Sequence, residues 1–126
     1  INVDLEIESH ESLQPIADSF GQDVTVLGCG NWGNHFHAAF EAEGTGSDPD
    51  SIINFFCMLV ESLDETGRTV WDRAFLKEFN IGYESGLEPR SFESSLRSQT
   101  ISKIHAIGAS MKITIYPPDE IQKQNT

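Results

Sequence analysis

Val3, Leu5 and Ile7 alternate with Asp4, Glu6 and Glu8, a period of two that predicts a strand with one buried and one solvent-facing side. The solvent-facing side is wholly acidic. Leu13, Ile16, Ala17 and Phe20 then repeat at helical spacing; Ser12 is placed to cap that helix, Pro15 is tolerated in its first turn and Gly21 stops it. Residues 24–27, Val-Thr-Val-Leu, predict a second strand that runs into a glycine-rich stretch. Over residues 35–42 two patterns compete. Phe36, Ala38, Phe40 and Ala42 fit a strand, while Phe36, Ala39 and Phe40 fit a helix face; the strand is favoured because it closes a hairpin with residues 24–27 across the glycine-rich turn.

Residues 43–47 read as a loop. Asp48 and Pro49 then open a helix whose apolar stripe is Ile52, Ile53, Phe56, Leu59, Val60 and Leu63, ending before Gly67. Thr69 is placed to cap a short helix through Trp71, Ala74 and Phe75, and Phe79, Ile81 and Tyr83 alternate as a strand. Residues 86–90 turn the chain, and residues 92–96 fit no single pattern. Ser98 is placed to cap a helix carrying Ile101, Ile104 and Ile107, stopped by Gly108; Met111, Ile113 and Ile115 alternate as a last strand that Pro117 and Pro118 terminate. This order predicts an α+β fold, a mostly antiparallel sheet with helices on one face, ferredoxin-like or related and with room for an extra strand. One domain is expected over residues 1–118, with a polar tail at 119–126.

Charge sharpens the picture. The net charge is −12, yet residues 1–67 hold thirteen acids and no Lys or Arg, whereas all eight bases lie from Arg68 onward beside seven acids. A field of one sign repels nucleic acid and anionic membrane surfaces and speeds encounter with a cationic protein. The partner-binding candidates are therefore Asp4, Glu6, Glu8, Glu41, Glu43, Asp48 and Asp50, with Trp32 as an aromatic anchor set among glycines. The competing reading of these acids is a solvated, solubilising face. For Trp32 it is a side chain tucked over the sheet; Trp71 reads as core.

The 126 residues suffice for a core without a metal or disulfide staple. Cys29 and Cys57 show no CxxC spacing and suit a reducing compartment. No run of about 18 apolar residues is present, and the start of the chain is not a basic segment followed by an apolar one. The expectation is a cytoplasmic protein with no membrane span.

Gly28-Cys29-Gly30-Asn31-Trp32-Gly33 is a literal G-x-G-x-x-G after an apolar strand. It resembles the first turn of a Rossmann domain, and closely that of glycerol-3-phosphate dehydrogenases. The resemblance implies that Gly28, Gly30 and Gly33 cradle a dinucleotide pyrophosphate at a helix N-terminus. Against it, a loop and a helix start follow where a second parallel strand is required, and the first base is Arg68. A glycine-rich hairpin turn is the simpler reading, and no cofactor is expected. His35 and His37 share one side of a strand, but His-x-His alone is a weak metal signal, and no metal is expected. No catalytic constellation has a local signature.

The run Phe79-Asn-Ile-Gly-Tyr-Glu, then Ser98-Gln-Thr-Ile-Ser-Lys-Ile-His-Ala-Ile-Gly-Ala and Met111-Lys-Ile-Thr-Ile-Tyr-Pro, resembles an uncharacterised bacterial domain family. Some of its members look like immunity proteins of contact-dependent or polymorphic toxin systems. The resemblance covers about the last third of the chain and rests mainly on structural residues such as Gly108 and Tyr116. It implies an immunity or antitoxin-like protein, not an enzyme, that occludes a basic toxin domain such as a nuclease. The alternatives are a small NAD-type oxidoreductase domain built on the glycine turn, and a non-catalytic regulatory or oligomerising domain.

Overall fold

The computed structural model describes residues 1–42, 48–84 and 93–117. The elements among them are β1 (Asn2–Ser9), α1 (Gln14–Phe20), a 3-10 turn (Gly21–Asp23), β2 (Val24–Asn31), β3 (Phe36–Ala42), α2 (Pro49–Glu61), α3 (Glu65–Arg73), β4 (Leu76–Glu84), α4 (Ser98–Ala106) and β5 (Ser110–Tyr116). The strands form one sheet in the order β2-β3-β1-β4-β5. All neighbours are antiparallel except β4 and β5, which are parallel. The crossover through α1 spans β3 and the one through α2 and α3 spans β1, so the first four strands interleave as two split β-α-β units. That is the expected α+β arrangement, and β5 is the extra strand, reached through α4.

The register sorts the residues of each strand by face. Leu5 lies opposite Phe40 and Phe79, and Ile7 opposite Ala38; these side chains are fully buried beneath the helices. Phe20 of α1 meets Phe40 edge-on at 5.2 Å and Phe56 of α2 lies 5.9 Å from Phe79. Trp71 of α3 is core, as expected, and its indole Nε1 donates to the Ile107 carbonyl at 2.9 Å. That bond satisfies the one polar group of a buried Trp and ties α3 to the end of α4.

Local expectations are corrected at several points. Gly28 and Gly30 lie within β2, paired with Ala39 and His37, so the strand continues through the glycines and the turn falls at Trp32–His35 instead. α3 begins at Glu65 with Asp64 as its cap, accepting from the Gly67 amide at 2.7 Å, because an aspartate reaches that amide and Thr69 lies too far along the chain. Phe75 lies beyond that helix, its N–H donating to the Glu8 carbonyl at 3.0 Å. Ser98 does not cap α4: the N-cap is Arg97, whose amide is taken by Asp50 at 2.9 Å. β5 is an edge strand whose Met111, Ile113 and Ile115 stay exposed, 43%, 57% and 67%, so its alternation does not bury a face. The loop at 43–47, the turn at 86–90, Phe92 and the tail at 119–126 lie outside the described residues. No helix among those described is long and apolar enough to cross a membrane.

Candidate functional site

The helices occupy one face of the sheet, and the opposite face carries the acids. On β1, Asp4, Glu6 and Glu8 alternate with the core residues and so point away from the helices. Register places Asp4 beside Glu41 of β3, and Glu6 between Ala39 of β3 and Glu78 of β4. Five carboxylates from three adjacent strands thus share this face. Lys112 of β5, at the sheet edge, is the base that register adds to it.

Two of the side-by-side pairs, Asp4 with Glu41 and Glu6 with Glu78, are like charges, an arrangement that costs folding stability. The strain registers at Asp4. Partial burial pushes its carboxyl above the usual range, Glu41 and Glu6 push it further, and a hydrogen bond from Asn2 at 3.4 Å opposes them. Its Oδ1 is buried without a hydrogen-bond partner among the described residues.

At the Glu8 end of the face the carboxylates meet an aromatic cluster. The hairpin turn is fixed by the Trp32 amide donating to the His35 carbonyl at 2.8 Å, and by the Gly33 amide donating to Asn31 Oδ1 at 2.7 Å. Gly33 has φ +89°, a left-handed conformation that suits glycine. The turn folds Trp32 back onto β3, where its indole stacks on the His37 ring with centroids 3.7 Å apart and planes within 12°. Trp32 is thus laid over the sheet and still 60% exposed. His35 Nε2 lies 2.6 Å from Glu8 Oε1, its Nδ1 lies 2.7 Å from Asn34 Oδ1, and His37 Nε2 lies 3.9 Å from Glu6. Phe75, 52% exposed, packs against the His10 and His35 rings at 4.7 and 5.7 Å.

The expected site residues therefore divide. Trp32, Asp4, Glu6, Glu8 and Glu41 come together on one face. Asp48 caps α2, accepting from the Ser51 amide at 3.1 Å. Asp50 is turned inward at 8% exposure and accepts from Thr100 Oγ1 at 2.6 Å, from the Arg97 amide and from Arg97 Nε at 3.0 Å. The Thr100 and Arg97 amide bonds hold its carboxyl below the usual range. These two aspartates serve helix ends: Asp48 takes the Ser51 amide at the start of α2, and Asp50 takes the amide of Arg97, which precedes α4. Glu43 lies outside the described residues. Glu78, His10, His35, His37 and Phe75 join the face without having been candidates for it. Alternation with Phe79 and Ile81 could have placed Glu78 there; nothing local marks Phe75.

The glycine motif does not take the strand–turn–helix geometry of a Rossmann turn. Gly28 and Gly30 sit in ladder positions of an antiparallel hairpin, and Gly33 leads into β3, with no helix N-terminus after it. Among the described residues no three His, Cys, Asp or Glu side chains are grouped as a metal site. On the helix side a hollow of about 520 Å³ is lined by residues of α2 and by Lys103. Cys57 at its wall is pushed up to about 11 by burial and by Glu61, with Lys103 opposing, and is a packing thiol at neutral pH.

No protein-family model, curated protein or solved structure matches the chain. The site is accordingly read from its own chemistry.

Proposed function

We propose that this chain binds a basic protein through the open face of its sheet, acting as an immunity- or antitoxin-like protein that occludes a toxin domain. One observation carries the reading: Asp4, Glu6, Glu8, Glu41 and Glu78 share a face that none of the described helices covers, in register that sets like charges side by side. Folding alone gains nothing from that register, since like-charge neighbours destabilise a sheet. A cationic partner relieves it. The same field disfavours phosphate backbones and anionic lipid. The toxin assignment extends this from the resemblance of the last third of the chain. Carboxylates would fill a basic groove of the kind that holds phosphates in a nuclease, and long-range attraction would set the association rate while the desolvated centre sets the lifetime.

The test is affinity purification from the native cell at low salt, followed by NMR mapping of the footprint of the co-eluting protein. The expected result is a cationic partner whose footprint covers β1, β3 and the Trp32–His35 turn. A footprint confined to α2 and α4, or retention of no cationic protein, would refute the reading. The self-associating alternative keeps one observation in its favour, the exposed Met111, Ile113 and Ile115, and a footprint of the chain on its own β5 would favour it instead.

A further inference from the structure

The acidic face is not uniform. At one end it has an exposed aromatic plane whose inner side is already filled: Trp32 lies flat on His37, and its outer side accounts for its 60% exposure. Two carboxylates flank the histidines that Trp32 packs on, and they differ. Glu8 is engaged by His35 at 2.6 Å, whereas Glu6 is only 3.9 Å from His37, beyond hydrogen-bond distance, and has Glu78 on its other side. Glu6 therefore keeps most of its acceptor capacity. Next to His37 and Ala39 the sheet carries Gly30 and Gly28, and a Cβ built on either meets nothing within 4 Å. The ground beside the indole is unobstructed.

A group suited to this place must tolerate a negative field, present a flat surface to an indole and offer several donors to a carboxylate. A phosphate-bearing base could stack but would be repelled. An apolar side chain could cover the indole but would desolvate Glu6 without replacing its hydrogen bonds. An ammonium satisfies the charge yet is strongly hydrated and has no plane to stack. A guanidinium meets all three conditions, being planar, weakly hydrated and able to stack on an aromatic face while donating to a carboxylate. We infer that the exposed face of Trp32, in the negative field of Glu6 and Glu8, is the seat for an arginine side chain of the partner. The inference rests on the open sheet face being a binding surface for a basic protein, and adds which partner residue is read and where.

Short peptides separate the two. Tri-arginine amide and tri-lysine amide carry the same backbone and comparable charge, and are titrated into the full chain at low salt while the indole N–H signals are followed by NMR. Trp71, hydrogen-bonded to Ile107 inside the core, is the internal reference. The expected result is that tri-arginine shifts the Trp32 signal and leaves Trp71 unmoved, binding about two- to fivefold tighter than tri-lysine, the range for an exposed cation–π contact. Trp32→Ala should abolish that preference while both peptides still bind; Trp32→Phe, which keeps an aromatic face, should retain part of it. Equal binding of both peptides with an unmoved Trp32 signal overturns the arginine seat and leaves the acidic face standing. Failure of both peptides to bind overturns the seat together with the reading on which it rests.

Discussion

Asp4 and Asp50 carry the same side chain and opposite consequences. Asp4 is partly buried among carboxylates, and its raised pKa means that the unfolded chain holds the ionised form more readily than the folded one. Its cost to stability is thus absent below the ordinary carboxylate range and complete above the raised folded value. Asp50 is the reverse. Its stabilisation is complete above the ordinary value of 3.8 and fades as pH falls through the lowered folded one. The guanidinium of Arg97 is largely exposed and adds little; the Thr100 hydroxyl and the Arg97 amide do most of the holding. Asp50→Asn should cost about 1.5–3 kcal/mol at pH 7, the range for hydrogen bonds to a charged group. In urea unfolding the gap to wild type should narrow as the pH is lowered through the acid range; a gap of equal size at pH 7 and at pH 3 would contradict the account. The outward direction of Asp4 was legible from alternation with Val3 and Leu5. The inward turn of Asp50 was not, because its partners Arg97 and Thr100 lie 47 and 50 positions along the chain.

The β2–β3 hairpin shows how a motif can be present in sequence without the strand–turn–helix geometry that usually accompanies it. Val24, Phe40 and Ala42 established the strands, and the choice of strand over helix for residues 35–42 follows from pairing that only a second strand could supply. The string of glycines misplaced the turn, since glycine permits tight turns but does not require them. Only Gly33 has positive φ in this hairpin. Gly33→Ala should therefore destabilise by about 1–2 kcal/mol, the penalty for a left-handed residue bearing a Cβ. Gly30→Ala, extended and with open space at its Cβ, should be neutral or slightly stabilising. Thermal denaturation of the two variants checks both, and a large loss at Gly30 would indicate a backbone constraint that the hairpin does not contain.

Across the whole molecule, charge was legible as a total and as an imbalance between halves, but the boundary that matters is not a position in the sequence. Of the acids before Arg68, Asp4, Glu6, Glu8 and Glu41 share the open face, while Asp48, Asp50 and Asp64 serve helix ends. Glu78 comes to the face from the basic half. Periodicity tells which side of a strand a residue occupies; only sheet order tells which strands lie side by side. The crossovers that set β1 between β3 and β4 leave no local mark, and neither does the return of Trp32 onto His37.

The central claim concerns a face and not a total, and it is tested most directly by two variants of equal charge. Glu6→Gln/Glu41→Gln/Glu78→Gln removes three charges from the open face; Asp23→Asn/Glu61→Gln/Glu65→Gln removes three exposed ones elsewhere. Association rates with the cationic protein recovered by affinity purification are measured by stopped flow across a salt series. The face variant should associate markedly more slowly and lose most of its salt dependence, with the other close to wild type. Equal slowing by both would mean that net charge alone attracts the partner, and would contradict a binding face built by the register of β1, β3 and β4.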